Sequence, residues 1–229
     1  MRKAFAIGLA AVLAVSAAAP VYAGEGEGIA KEDLKIGIIY IGDENEGYSA
    51  AHMAGIDEMV ETLGLDDSQV IEKPLIGENE ACYDAAADLA DQGAQIVFAN
   101  SFGHETYILQ AAAEYPEVQF CHATGTQAAS SGLSNMHNYF TNIYEARYVS
   151  GVVAGMKLNE MIEDGTITED EAKMGYVGAF PYAEVISGYT SFFLGARSVC
   201  PSVTMEVKYT NSWASFDLEK ECADALISD

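Results

Sequence analysis

KIGIIYIGDENEGYS, residues 35–49, decides the fold. It is a short apolar strand over residues 36–41 that runs straight into a Gly- and acid-rich loop. A helical pattern follows over 49–63, with Met53, Ile56, Met59, Val60 and Leu63 at helical spacing and Gly64 as the stop. Continuous apolar runs of this length, without alternation, are the mark of strands covered on both faces.

The same unit recurs outward from that stretch. Strands are predicted at 69–74, 95–100 and 118–122, and helices at 79–92 and 104–114. Residues 127–135 read as a small-residue loop and 136–140 as one more short strand. A βαβ succession with tight connections and right-handed crossovers gives a parallel sheet with helices on both faces. A long helix over 144–161 carries Gly151 and Gly155 one turn apart. Glycine weakens a helix, so their expected purpose is the close approach of another backbone. The acidic run 163–171 reads as an exposed connector, after which the pattern restarts: strands at 173–177 and 203–209, helices at 183–198 and 217–227. Two βα units leave sheet edges unprotected, so the second unit is expected to be incomplete.

Residues 1–23 form an export signal: Arg2 and Lys3, an apolar run over 4–19, and small residues at Val21 and Ala23 before the cleavage point. No cysteine ends that run, which argues against a lipid anchor. The resulting division is a signal peptide over 1–23, a flexible leader over 24–34, a first α/β lobe over 35–142, a crossing helix with acidic connector over 143–172, and a second α/β lobe over 173–229. The leader's GEGEG precedes the strand, whereas a dinucleotide fingerprint follows one.

Eleven basic against 35 acidic residues give a net charge of −24, which repels nucleic acid and anionic lipid. No membrane span is expected after the signal. Cys82, Cys121, Cys200 and Cys222 show no CxxC spacing. Export permits disulfides, and four cysteines allow three pairings; the reading preferred is four small, unpaired side chains. His52, His104, His122 and His137 fall in different elements, and Ile108 stands where an HExxH site needs its second histidine. No GxSxG elbow and no phosphate loop occur. The sequence therefore supplies no catalytic, metal or cofactor site.

Ligands bind parallel sheets at the carboxyl ends of their strands. There the chain places Gly42, Asp43, Gly47 and Tyr48, then Ser101 and Phe102, then Thr124 and Gly125, then Phe180, and finally Trp213. Glycines admit a ligand close to backbone, aromatics stack on flat rings, and polar groups orient them. A neutral, planar, polar molecule such as a nucleobase fits.

KIGIIYIGDENEGYSAAH, IVFANSFGH, FCHATG, NYFTNIYEARYVSGVVAG, VGAFPYAEVISGYTSFFLGARSV and NSW together resemble the basic membrane protein family of ABC importer substrate-binding proteins, the group of the purine nucleoside receptors. The resemblance covers 35–229. It implies a type I periplasmic-binding-protein fold of two Rossmann-like lobes, the second one truncated here. It also implies a purine base or nucleoside as ligand, an ABC permease and ATPase as partners, and a monomer that meets the membrane only through the permease. Carried onto this chain, it adds Tyr144 and Glu145 at the start of the crossing helix. It assigns Tyr48 and Trp213 to sandwich the base and Asp43 to accept from its N–H groups. Gly-Tyr-Ser-Ala-Ala-His, residues 47–52, replaces the Asp-Ser-Phe-Asn type of loop in the nucleoside receptors, which favours a free base. A sensor read by a membrane receptor, and a secreted nucleoside hydrolase, are the alternatives.

Overall fold

The computed structural model describes residues 28–228. The export signal and residues 24–27 of the leader lie outside the described residues. Five strands form the first sheet: β1 (Ile36–Ile39), β2 (Val70–Lys73), β3 (Ile96–Ala99), β4 (Gln119–Ala123) and β5 (Met136–Tyr139). They lie in the order β2-β1-β3-β4-β5 and every pairing is parallel. All four residues of β1 are buried because helices cover both faces. Ile36, Ile38 and Tyr40 pack toward α1 (Gly47–Leu63), and Ile39 packs with Leu89 of α2 (Glu80–Asp91) and Ile108 of α3 (Glu105–Glu114). Gly37 sits between, where a Cβ would meet the Leu89 side chain at 2.9 Å.

Two local details depart from the expected layout. The end of the leader is not a free tail: residues Lys31–Asp33 form a 3-10 turn, held by the Gln69 amide donating to the carbonyls of Lys31 and Leu34 at 2.6 and 2.8 Å. The loop 127–135 contains a one-turn helix, α4 (Ala128–Ser131), whose first N–H is taken by Asn138 Oδ1 at 2.8 Å. A side chain from the neighbouring strand thus supplies the cap, which a local reading of small residues does not reveal.

α5 (Ile143–Glu163) leads away from the first sheet, and α6 (Ala183–Val199) packs along it. The crossing is close because of three glycines. A Cβ on Gly151 would overlap the Phe192 carbonyl oxygen, one on Gly155 that of Ala196, and one on Gly195 that of Tyr148. The expected role of Gly151 and Gly155 is what the geometry shows. β6 (Lys173–Gly178) and β7 (Thr204–Tyr209) pair in parallel as a second sheet. α7 (Phe216–Ser228) returns over it, with Leu226 against Gly175. Its small core gathers Leu158, Ala172, Ala196, Cys200 and Val203. All four cysteines are free thiols.

Candidate functional site

The carboxyl ends of both sheets face one cavity of about 1450 Å³. Gly42, Tyr48, Ser101, Phe102 and Thr124 line it from the first sheet's loops, and Trp213 from the second's. These are six of the residues expected there. A smaller groove of about 480 Å³ beside Lys73 and Asp88 lies elsewhere on the first sheet and gathers none of them.

Asn100, at the end of β3, holds the first wall together. Its side chain accepts from the Ile41 N–H at 2.9 Å and donates to Ser49 Oγ at 3.3 Å, and its carbonyl accepts the Tyr48 hydroxyl at 2.6 Å. Ser49 Oγ in turn accepts the Gly42 N–H at 3.0 Å. The Tyr48 ring, edge-on to His52 at 4.6 Å, is therefore fixed on the wall before any ligand arrives. Burial raises the pKa of its phenol, and the fields of Tyr139, Glu184 and Glu46 add to this. Glu184 belongs to the second half of the chain, so the two walls feel one another across the cavity.

The acidic group on the first wall is Glu46, not Asp43. Asp43 accepts from the Asn45 N–H at 2.9 Å and stands off the cavity wall. Glu46 caps α1, accepting from the N–H groups of Tyr48 and Ser49 at 2.8 and 2.7 Å. Burial opposes its charge, but these bonds, with Ser49 Oγ and His52, hold its pKa below the usual value. Gly42 is needed beside it, since a Cβ there would lie 2.8 Å from Glu46 Cβ.

Under the floor lies a buried polar network. Glu105 accepts from the N–H groups of Thr126 and Gln127, both at 2.7 Å, and from the side chains of Gln127 and Asn138 at 3.0 Å each. His122 Nε2 pairs with the Ser101 carbonyl at 2.7 Å. Glu78 accepts from Ser101 Oγ at 2.6 Å and the Gly103 N–H at 2.7 Å. Gly125 serves this network rather than the cavity: a Cβ there would strike Glu105, His122 and Asn138. Thr124, by contrast, keeps a buried hydroxyl without a partner among the described residues and a φ of 69°. For a β-branched residue that backbone is a genuine outlier, of the kind found at ligand sites.

The remaining expected residues stand off the wall. Gly47 is exposed, and a Cβ added there would meet nothing within 4 Å. Tyr144 and Glu145 occupy the first turn of α5, but Ile143 and Arg147 face the cavity there. Phe180 backs the aromatic group instead of lining the space: its ring stacks on Tyr182 at 5.1 Å and meets Trp213 edge-on at 5.0 Å. Phe102 reaches across from the first sheet to stack on Tyr182 at 5.1 Å. Tyr182, Arg147 and Glu184 were not expected. The quoted stretches NYFTNIYEARYVSGVVAG and VGAFPYAEVISGYTSFFLGARSV contain all three, but which helix face turns inward follows from the α5–α6 crossing.

The family model described as "ABC transporter substrate-binding protein PnrA-like" matches residues 35–229. A purine-binding protein of Brucella abortus is 35% identical over 199 residues, covering 86% of this chain and 52% of the relative. A Haloferax volcanii protein, provisionally named an ABC transporter glucose-binding protein, is 31% identical over 202 residues, covering 86% of this chain and 46% of its own length. The chain thus spans about half the length of these curated relatives. Among solved structures, an ABC transporter solute-binding protein of Aeropyrum pernix superposes with a TM-score of 0.67 at 18% identity, over 85% of this chain and 52% of that one.

Proposed function

This chain belongs to the PnrA-like family of ABC transporter substrate-binding proteins and has the α/β fold of type I periplasmic binding proteins; on that footing we propose that it binds a purine base or nucleoside. The reading takes residues 35–142 and 173–229 as two lobes joined by 143–172, closing on the ligand and presenting it outside the cytoplasm to a permease and its ATPase. Among the described residues no helix is long and apolar enough to cross a membrane.

One observation carries the ligand class. Tyr48 and Phe102 from one side, and Tyr182 and Trp213 from the other, bound a single cavity. Flat π surfaces from two walls suit a flat heterocycle, whose stacking contributes on the order of 1–3 kcal/mol per base. The volume exceeds the usual few hundred Å³ of a small-ligand site, consistent with lobes that have room to close. The purine-binding name of the Brucella relative supports the same class.

The glucose-binding name of the Haloferax relative points to a second ligand class, since aromatic plates also receive sugar faces. Calorimetry with adenine, guanine, adenosine, guanosine and glucose separates the two. Heat from any purine and none from glucose is expected; glucose alone giving heat would replace the purine reading, and silence from all five would remove both.

A further inference from the structure

Most polar groups around the cavity are already engaged. Glu46 caps α1, Ser101 Oγ is held by Glu78, and the Tyr48 hydroxyl is taken by Asn100. Two charged side chains on the second wall are not. The Arg147 guanidinium and the Glu184 carboxylate both line the cavity, and neither makes a hydrogen bond or ion pair among the described residues. They are nevertheless neighbours. Arg147 Cγ and Nε lie 3.8 and 4.0 Å from the Cβ position of Gly188, one turn beyond Glu184 on α6. Two opposite charges that line one cavity without pairing to each other are both open to a ligand.

We propose that Arg147 and Glu184 are the base-reading pair of this cavity and that they select a 6-oxopurine over a 6-aminopurine. The inference rests on the purine reading above. A guanidinium fork only donates, and it matches the adjacent O6 and N7 acceptors of guanine or hypoxanthine. Adenine presents an amino donor at the same edge, against which the fork has nothing to offer. An ionised carboxylate only accepts, so it matches the N1–H that a 6-oxopurine carries next to O6, whereas N1 of adenine is itself an acceptor. Both contacts thus favour one base class and oppose the other. Burial raises the Glu184 pKa although Arg147 opposes the shift, so the carboxylate is poorly solvated and a ligand donor would relieve it.

The test is calorimetry on the full chain at pH 7 with hypoxanthine, guanine and adenine, in the wild type and in Arg147→Met and Glu184→Gln. Hypoxanthine and guanine should bind at least tenfold more tightly than adenine. Each substitution should weaken the oxopurines tenfold or more while changing adenine by less than threefold. Adenine binding as tightly as the oxopurines would overturn the pair and leave the purine reading standing. So would variants that weaken all three bases alike, since that marks a merely structural role. Failure of all three bases, with adenosine and guanosine silent as well, would overturn the purine reading and the pair with it; nucleosides binding where the bases do not would overturn the pair alone.

Discussion

Gly151→Ala tests the joint on which the second wall depends. The added methyl would overlap the Phe192 carbonyl oxygen and lie 2.7 Å from its carbon and 3.0 Å from its Cα. Carbon contacts prefer about 3.5–4.0 Å, so α6 must retreat by about 1 Å. The obstacle is backbone and no rotamer change relieves it. Overpacking of this kind costs about 1–3 kcal/mol, and the rigid obstacle puts it at the upper end. Replacing a helical glycine by alanine returns roughly 1 kcal/mol of helix propensity, leaving a net loss of about 2 kcal/mol. Gly55 is the internal control, a glycine inside α1 with nothing within 4 Å of its Cβ position. Gly55→Ala should therefore stabilise by up to about 1 kcal/mol. In urea, with a slope of about 2 kcal/mol per molar, the Gly151 midpoint should fall by about 1 M and the Gly55 midpoint should rise. Because Arg147 lies one turn from Gly151, base affinity should fall in the first variant only. Equal midpoints for the two variants would refute the claim that backbone contact sets this crossing.

Three further outcomes follow from the same geometry. Tyr48→Phe removes the bond to the Asn100 carbonyl and should lower stability by about 1 kcal/mol while ligand affinity stays within about threefold, whereas Tyr48→Ala should lose about 1–3 kcal/mol of binding; calorimetry beside urea melts separates ring from hydroxyl. Acid should destabilise in two stages. Burial holds the pKa values of His104 and His122 below the ordinary histidine value. For Glu105, burial raises the pKa, but hydrogen bonds from Gln127 and Asn138 and the field of His122 outweigh it, so the net shift is downward. In each case the unfolded chain takes up its proton first, so stability present at neutral pH is lost below about pH 6.5 for the histidines and below about pH 4.3 for Glu105. Glu105→Gln should flatten the lower stage of a stability–pH series and, because the Glu105 charge holds the His122 pKa up against burial, deepen the upper one. Finally, burial pushes the Cys82 thiol up to about 12 and Cys121 to about 11. Under about one in a thousand is then ionised at pH 8, so iodoacetamide with peptide mass mapping should find both unlabelled until the chain is unfolded.

The strands and helices were legible because burial writes itself into local patterns. The four buried residues of β1 and the helical spacing of Met53, Ile56, Met59 and Val60 each report how an element meets its neighbours. From their order alone followed the parallel sheet and the edge where its loops gather. Gly151 and Gly155 could even be read as a close helix contact, because the loss they impose on a helix calls for a compensating one. Which side chains face the cavity was a different matter. Asp43 and Glu46 are both acids in one loop, and only the capping of α1 turns Glu46 to the wall and leaves Asp43 bonded to Asn45. Gly125 looked like a place for ligand and proved to be room for Glu105, a residue 20 positions away in sequence. Arg147, Tyr182 and Glu184 acquire a common position through the depth and angle at which α5 and α6 cross. Local sequence encodes how far each residue prefers to be from water; where two helices meet is set by contacts between distant backbones, and that decided the second wall.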